Sequence, residues 1–402
     1  MINLETPNKF RMLVEQAHQV AKEIFRPNSR RYDRAEHEYP KELDMLGALL
    51  DGMHAGGSGE GAGATGVRRN AVSSEGNRNG SNLSTALGTM ELCWGDVGFL
   101  LTMPRQGLGN SAIASVASDE QLKRFEGKWA AMAITEPHCG SDSAAIRTTA
   151  RKDGEHYVLN GDKIFVTSGD RAELVVVWAT LDRNAGRAAI KSFVVEKGTP
   201  GFELVRLEHK LGIRASDTAQ FALRDCRVPA ANLLGDPEIH ADKGFAGVMQ
   251  TFDNTRPLVA AMAVGLARAC LEETRKQLGA AGVEVDYDRP ANVQVAAAAE
   301  FLRLEADYEA ARLLTLQAAW MADNRKPNSL QASMAKAKAG RSCVDIALKC
   351  VELCGTVGYG EGELLEKWAR DAKILDIFEG TQQIQQLIVA RRLLGKTSSE
   401  LK

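Results

Sequence analysis

Glu379 stands in a segment whose composition suits acid–base chemistry. In ILDIFEGTQQIQ (374–385), the glutamate precedes Gly380 and follows the apolar residues Ile377 and Phe378, between two stretches with helical patterns. A carboxylate in an apolar pocket is poorly solvated, which raises its pKa and suits a general base. A glutamate in an exposed loop is the alternative that this segment alone leaves open.

A second segment, AITEPHCGSD (133–142), packs Thr, Pro, Gly, Ser and Asp into a turn. Backbone N–H groups near Gly140 and the hydroxyl of Ser141 would suit a phosphate or a ring carbonyl. An ordinary turn has the same composition, so the segment by itself indicates only a candidate binding loop.

A third segment, FDNTRP (252–257), places two opposite charges three residues apart. On a helix, Asp253 and Arg256 share one face. They form either a surface ion pair or a site for a charged ligand.

The chain that positions these segments begins with helical patterns that continue to about residue 130. An apolar stripe over 13–24 predicts a helix that Pro27 ends, and helical spacing returns at 84–94 and 119–125. Between these helices the tract 52–80 is rich in glycine. It predicts a loop or, alternatively, a lid over a ligand.

From about residue 130 to 234 the sequence has the character of β-strands. HYVLNGDKIFVTSG (156–169) holds two β-rich runs around Asn160-Gly161, a dipeptide that predicts the turn of a type I′ hairpin. Further short apolar runs occur at 174–179 and 192–195. Together they predict a small antiparallel barrel or sandwich.

After residue 244 the patterns are helical to the end of the chain. Segments rich in Ala, Leu and Glu predict four helices with short connections, at about 245–279, 292–322, 328–354 and 381–395. The predicted fold class is therefore α+β and multidomain. It comprises an N-terminal α-helical domain (1–130), a middle antiparallel β-barrel or sandwich domain (131–237) and a C-terminal four-helix bundle (238–402).

The composition excludes several classes of protein. The 402 residues include 50 basic and 52 acidic side chains, which argues against nucleic-acid binding through bulk charge. No stretch of about 18 apolar residues predicts a membrane span, and no metal, P-loop, Rossmann or nucleophile-elbow motif is present. Seven cysteines without a CxxC pair, and an N-terminus without the pattern of a secretory signal, predict a cytoplasmic protein.

Together the segments resemble the acyl-CoA dehydrogenase family. AITEPHCGSD is similar to the family's flavin-binding TEPxxGSD segment, and LGIRASDTAQFALRDCRVPAANLLG (211–235) to the chain that leaves its β domain. FDNTRPLVAAMAVGLA (252–267) and RDAKILDIFEGTQQIQQLIVARRLLG (370–395) are similar to motifs of its C-terminal helices. The resemblance covers most of the chain and is strongest after residue 130. It implies an FAD-dependent oxidoreductase of fatty acid metabolism.

The resemblance assigns ligand contacts to three sets of residues. The set expected against FAD in the β domain is Met132, Ile134, Thr135, Gly140, Ser141, Phe165, Val166 and Thr167. Thr381 and Gln383 are expected to contact FAD from the start of the last helix. The set expected to contact acyl-CoA is Ser141, Asp253, Arg256 and Gly380.

Glu379 matches the position of the family's catalytic base. The resemblance implies that it removes the α-proton of an acyl-CoA while the β-carbon gives a hydride to flavin N5, so that a trans-2-enoyl-CoA forms. Electron-transfer flavoprotein would then reoxidise the flavin. With oxygen as the acceptor, the protein would instead be an acyl-CoA oxidase.

Two stretches depart from the family pattern on the side of the site that holds the ADP half of FAD. LGAAGVEVDYDRPANVQ (278–294) lacks the arginine that members place before a glutamine, matched here by Gln294, and Arg289 has the wrong spacing. In VELCGTVGYG, Glu352 and Thr356 replace a glutamine and a glycine. A degraded half-site predicts a heteromeric α2β2 assembly with a homologous subunit. A homodimer or homotetramer with rearranged FAD binding, and a non-catalytic subunit of such a complex, are the alternatives.

Overall fold

The computed structural model describes residues 6–46, 80–104, 108–239, 246–397 and 400, with no side-chain description at 108 or 246–254. The predicted glycine-rich loop (52–80) therefore lies outside the described residues, apart from its last position. The side chain of Asp253 lies outside them as well. Helices come first along the chain, a β-sheet follows, and a helical bundle ends it. This order confirms the predicted α+β fold class.

The N-terminal region contains α1 (Arg11–Val20), α2 (Arg26–Arg34), α3 (Ser81–Gly95), α4 (Val97–Thr102), α5 (Leu108–Val116) and α6 (Asp119–Arg124). The prediction that Pro27 ends the first helix is wrong. A π-helical turn, Ala21–Phe25, joins α1 to α2. It shifts the hydrogen-bond register just before the proline, so the helix passes a residue that cannot donate.

The β region forms one sheet from β1 (Ala130–Ala133), β2 (Thr149–Asp153), β3 (His156–Thr167), β4 (Leu174–Thr180), β5 (Ile190–Glu196), β6 (Phe202–Leu207), β7 (Thr218–Pro229) and β8 (Leu233–Leu234). The strand order is β6-β7-β3-β2-β4-β5-β8, and β1 pairs with β4. The sheet is mixed rather than wholly antiparallel, because β1 and β2 both run parallel to β4.

The hairpin predicted at Asn160-Gly161 is not formed, because both residues lie inside β3. The tight turn is instead at 153–156, where β2 meets β3. The Asn160 side chain bonds the backbone N–H of Asp225 at 2.8 Å, at a bulge in the β3–β7 pairing. A Cβ on Gly161 would overlap Thr148, so a close approach of the chain explains this glycine.

The C-terminal bundle contains α7 (Ala246–Ala280), α8 (Ala296–Asp323), α9 (Ser329–Tyr359), α10 (Leu365–Leu375) and α11 (Gln382–Leu394). The short helix α10 was not among the four predicted. One hydrophobic core joins this bundle to the N-terminal helices through buried rings such as Phe25, Phe99, Phe301 and Trp368. None of the described helices combines the length and apolarity that crossing a membrane requires. The domain limits at 130 and 237 stay a prediction.

Candidate active site

Glu379 lies in the turn that joins α10 to α11. Its φ is +54°, in the left-handed region that residues other than glycine rarely occupy, and Gly380 follows at +94°. Thr381 caps α11, since its hydroxyl accepts a hydrogen bond from the N–H of Ile384 at 3.5 Å. A strained backbone thus carries the predicted base, and such strain persists only where surrounding contacts hold it.

The carboxylate of Glu379 is shielded from solvent on one side. Its Oε2 has neither solvent contact nor a hydrogen-bond partner among the described residues. Burial raises the pKa of this carboxyl above its usual value, although a hydrogen bond from Thr255 and the charges of Lys336 and Arg256 act in the opposite direction. A carboxyl group with a raised pKa is well suited to accept a proton near neutral pH.

Two buried side chains hold the main chain of this turn. Lys336 on α9 is fully buried, and its Nζ donates to the carbonyl oxygen of Gly380 at 2.6 Å. Nε2 of Gln385, in the first turn of α11, donates to the carbonyl oxygens of Glu379 and Gly380 at 3.1 and 3.2 Å. Burial lowers the pKa of Lys336 to about 8, although Asp376 and Glu379 favour its charged form.

The sequence analysis missed both Lys336 and Gln385. A signal for Lys336 exists in the helical spacing, since it lies on an otherwise small and apolar buried stripe of α9. That stripe consists of Ala332, Ala335, Ala339 and Gly340. The nearby Lys338 instead pairs with Asp307. Spacing therefore distinguishes the two lysines, whereas their flanking sequence does not.

The other residues predicted near the base differ in exposure. Arg256 is only 3% exposed, so it is not the surface ion pair that the sequence left open. Of the apolar flanks of Glu379, Phe378 packs against the core, while Ile377 is 44% exposed. Gln383 is exposed on α11.

A buried ion pair positions the predicted flavin-contact loop after β1. The carboxylate of Glu136 accepts the backbone N–H groups of Arg147 and Thr148 at 2.6 and 2.9 Å and the Nζ of Lys163 at 2.8 Å. Lys163 also donates to the carbonyl oxygen of Ile134 at 3.1 Å. These bonds fix the loop against β3. The sequence analysis did not identify either member of the pair.

Residues at the end of β3 present a surface beside this loop. Phe165 has a φ of +57° and is 60% exposed, which is unusual for a large apolar ring. The N–H of Ile164 donates to the carbonyl oxygen of Thr135 at 3.0 Å, so the loop and the strand end are adjacent. Met132, Ile134, Thr135 and Thr167 are partly exposed, and Gly140 and Ser141 are exposed. Val166 is fully buried in the sheet core, so its side chain does not face a ligand.

A buried charge network ties the helix before Glu379 to the β region. Nζ of Lys367 on α10 bonds Asp96 and, at 2.7 Å, Asp371. The other carboxylate oxygen of Asp371 accepts the N–H of Ile213, in the segment before β7, at 2.5 Å. Burial raises the pKa of Asp371, against the opposing charge of Lys367. The network fixes α10, and with it the start of the Glu379 turn, relative to the sheet.

On the predicted ADP side, the two stretches that depart from the family pattern have side chains engaged with other parts of the protein and an interrupted helix. Glu352 is exposed on α9 and pairs with Nζ of Lys349 at 2.6 Å. The helix is interrupted three residues later at Gly355, whose φ is +56°. The side-chain amide of Gln294 donates to the carbonyl oxygens of Asp286 and Arg289 at 2.7 and 2.9 Å. That amide is thus engaged within its own loop.

A cluster distant in sequence from the predicted site brings together Glu36, His37 and His209, whose side chains could ligate a metal. The carboxylate of Glu36 is already engaged by Nδ1 of His209 at 2.9 Å and by the backbone N–H of Lys210 at 2.9 Å. Arg214 lies 3.5 Å from the same carboxylate. The cationic Arg214 and the bonds that already engage the Glu36 carboxylate disfavour a metal ion there.

Comparisons with known proteins identify the family. Residues 131–226 match the middle domain of acyl-CoA dehydrogenases, and residues 242–394 match their C-terminal domain. The mitochondrial short-chain specific acyl-CoA dehydrogenase of mouse is 40% identical over 268 residues, which are 65% of this chain and 62% of that protein. An acyl-CoA dehydrogenase of Bacillus subtilis is 36% identical over 307 residues, 75% of this chain and 79% of the relative. The chain belongs to the acyl-CoA dehydrogenase family.

A solved structure extends the similarity and bears on the cofactor. The glutaryl-CoA dehydrogenase of Mycobacterium smegmatis in complex with FADH2 has a TM-score of 0.81 and 26% identity, over 98% of this chain and 96% of that one. The cofactor in that complex is FADH2. The residues predicted to contact the flavin ring are compatible with such a cofactor, because the ring of Phe165 is exposed and Thr135 is partly exposed beside a loop that buried hydrogen bonds hold. The predicted ADP side fits less well, because Glu352 pairs with Lys349 there and the side-chain amide of Gln294 is engaged within its own loop.

Proposed function

We propose that this protein oxidises an acyl-CoA thioester to the trans-2-enoyl-CoA, with Glu379 as the base. The observation that carries the proposal is the Glu379 turn, in which a carboxyl of raised pKa sits on a left-handed backbone held by two buried side chains. FAD bound at this site would supply the acceptor for the hydride that leaves the β-carbon. Family membership supports the same reaction.

In this proposal Glu379 takes the α-proton onto a carboxylate oxygen, which converts the ionised group to the neutral acid. Burial favours the neutral acid, so the environment that raises the pKa also favours the protonated product state. The backbone N–H of Glu379 is proposed to bond the thioester carbonyl. That bond stabilises the charge that develops on the carbonyl oxygen as the proton leaves.

Thr135, Phe165, Thr167, Thr381 and Gln383 are the proposed FAD contacts of greatest weight. Their exposed or partly exposed side chains support the assignment. Met132, Ile134, Gly140 and Ser141 belong to the same proposed surface. Arg256, Asp253, Ser141 and Gly380 stay proposed contacts to acyl-CoA.

The decisive experiment compares Glu379→Gln with the parent protein. Glutamine keeps the shape of the side chain but cannot accept the α-proton, so dehydrogenation should be lost while acyl-CoA binding persists. Turnover is measured with an artificial electron acceptor over a series of acyl chain lengths, and binding by calorimetry. Glu361→Gln, at an exposed position, is the matched control. Activity of Glu379→Gln within about tenfold of the parent would exclude this base.

We further propose electron-transfer flavoprotein as the physiological acceptor and a reducing, cytoplasmic environment. All seven cysteines are free thiols, and six of them are buried, which supports the second point. The acceptor is tested by following reoxidation of the substrate-reduced enzyme. Fast reoxidation by electron-transfer flavoprotein and slow reoxidation by oxygen are expected, and the reverse order would make the protein an acyl-CoA oxidase.

We also propose that a homologous subunit completes the ADP half of the FAD site in an α2β2 assembly. The carboxylate of Glu352 and the engaged amide of Gln294 support this proposal. Exposed apolar side chains on the same helix also support it: Leu348 is 56%, Val357 46% and Tyr359 82% exposed. An apolar surface beside an incomplete binding site suits a protein partner.

The assembly is tested by purifying the chain alone and with a homologous chain that carries the missing arginine and Gln-Gly-Gly elements. Flavin absorbance per chain and mass from light scattering are measured for both preparations. Leu348→Glu should prevent co-assembly, whereas Leu204→Glu, at an exposed position of β6, should not. A homo-oligomer of this chain alone with stoichiometric FAD would refute the α2β2 proposal.

A further inference from the structure

Lys336 places an ionisable side chain at a position whose buried surroundings would suit an apolar one. It is fully buried on α9, among alanines and a glycine that pack against neighbouring helices. Burying an ammonium group costs considerable free energy unless hydrogen bonds and charges compensate for it. Methionine would fill a similar volume without that cost. The carbonyl that Lys336 bonds, that of Gly380, adjoins the proposed base.

The turn that receives this bond needs external support. Glu379 and Gly380 have consecutive positive φ angles, and a left-handed backbone is disfavoured for a glutamate. The Gly380 carbonyl accepts one bond from Lys336 and one from Gln385, while the Glu379 carbonyl accepts another from Gln385. The two side chains thus fix the main chain of the turn from α9 and from α11.

The charges around Lys336 give it a second effect. The negative groups that face its ammonium are Asp376 and Glu379, and the positive group is Arg256 on α7. Asp376 is already paired with Arg341 at 3.2 Å and Lys373 at 3.0 Å. Thr255 is the other polar group on α7 at the Glu379 carboxylate. Lys336 is therefore a cation with two anionic neighbours. Of these, the proposed base Glu379 has fewer other cationic partners than Asp376.

We infer that Lys336 is a positioning residue for the base. Its ammonium fixes the Glu379 turn through the Gly380 carbonyl and favours the ionised form of the Glu379 carboxylate. Gln385 shares only the first of these tasks, because its amide carries no charge. The inference rests on the proposed function, since it assigns a task to Lys336 in the same site.

Three variants separate the two tasks. Lys336→Met removes both the bond and the charge, Gln385→Leu removes only bonds, and Lys338→Met is a matched control two residues along α9, where the lysine pairs with Asp307. We expect Lys336→Met to lower kcat at least tenfold and to move the acid limb of the kcat–pH profile upward by about one pH unit or more. Gln385→Leu should lower kcat without moving that limb. Lys338→Met should resemble the parent.

The sign of the pH shift follows from the charge. A nearby cation stabilises the carboxylate and lowers its pKa, so loss of the cation raises the pKa and the base is ionised only at higher pH. A lysine that only supports the fold would change kcat or stability without moving the limb. If Lys336→Met does not yield folded protein, Lys336→Gln, which also lacks the charge, is measured in its place.

A second measurement does not depend on turnover. The infrared absorption of the protonated Glu379 carboxyl, assigned by its loss in Glu379→Gln, is followed against pH in FAD-loaded protein. Its midpoint should rise in Lys336→Met by the same amount as the acid limb. This shift in protein without dehydrogenase activity would support the role of Lys336 and reject the proposed function. Active parent protein with an unmoved midpoint and an unmoved acid limb would overturn the inference.

Discussion

Replacing Lys336 by methionine should alter the pH dependence of stability in a defined direction. In the folded protein the pKa of Lys336 is lowered to about 8, against an ordinary value of 10.5. Below pH 8 folding must therefore desolvate a charged ammonium group. Above pH 10.5 the lysine is neutral in both states and this cost vanishes, so its contribution makes the wild-type protein more stable as the pH rises between these values.

The size of the effect follows from the two pKa values. They differ by about 2.5, which corresponds to a total of about 3 kcal/mol. Between pH 7 and pH 10 the lysine raises the free energy of unfolding of the wild-type protein by about 2–3 kcal/mol. Methionine does not titrate. The free energy of unfolding of the variant minus that of the wild type should therefore fall by the same amount between pH 7 and pH 10. Glu379 acts in the same direction, because loss of the cation makes its ionised form more costly in the variant.

The assay is urea-induced unfolding of the FAD-loaded proteins between pH 7 and pH 10, at fixed protein and FAD concentrations. The slope with pH is taken relative to Lys338→Met, which also removes one lysine from α9. The lost bond to Gly380 adds an offset that does not vary with pH. A difference that stays constant or grows with pH would refute the reasoning that the fold desolvates the ammonium of Lys336.

Three further outcomes are expected. Gly380→Ala should lower the free energy of unfolding by about 2–4 kcal/mol and kcat with it, because φ is +94° there and a Cβ would overlap a buried amide; Gly279→Ala, in open space, should not destabilise in urea. Lys163→Met should cost about 3–5 kcal/mol and loosen FAD, because Glu136 stays buried without its cation; unchanged FAD affinity by fluorescence titration would count against this. Arg256→Ala should raise the acyl-CoA KM more than it lowers kcat, and a loss confined to kcat in steady-state assays would contradict its proposed CoA contact.

The parts of the fold that the sequence predicted are those determined locally. The helix predicted at 119–125 forms at Asp119–Arg124, because Ser118 and Gln121 complete a capping box at its start. The run of valines at 174–179 forms β4, which is buried along its whole length. In both cases the information lies within a few neighbouring residues.

The two wrong predictions have different causes, and only the first lies in contacts between residues distant in sequence. Asn160-Gly161 has the local signature of a hairpin, but Asp225 and Thr148 supply a bulge that uses both residues inside a continuous strand. Pro27 has the local signature of a helix end, yet a π-helical turn carries the chain past it. At Asn160-Gly161 the packing of other segments outweighed local propensity, whereas at Pro27 a local change of helix geometry accommodated the proline.

The same limit explains why the sequence predicted Glu379 and Phe165 as site residues but not the side chains that hold their surroundings. Lys163 lies 27 residues from Glu136, and Lys336 lies 44 residues from Gly380. No neighbours in sequence mark Lys163 as different from a surface lysine, and for Lys336 the signal is its position on the small, apolar stripe of α9.

Lys163 and Lys336 nevertheless have one arrangement in common. Each is completely buried, and each donates through Nζ to a backbone carbonyl of a segment proposed to face a ligand, that of Ile134 in one case and that of Gly380 in the other. A lysine side chain is long enough to place a charge-assisted bond on a loop while its own backbone remains in a regular strand or helix. Each of these two segments is therefore held by a buried lysine of a neighbouring strand or helix. This support explains how Glu379 keeps a left-handed backbone in a turn without regular secondary structure. It also explains how Phe165 stays exposed at the end of a strand.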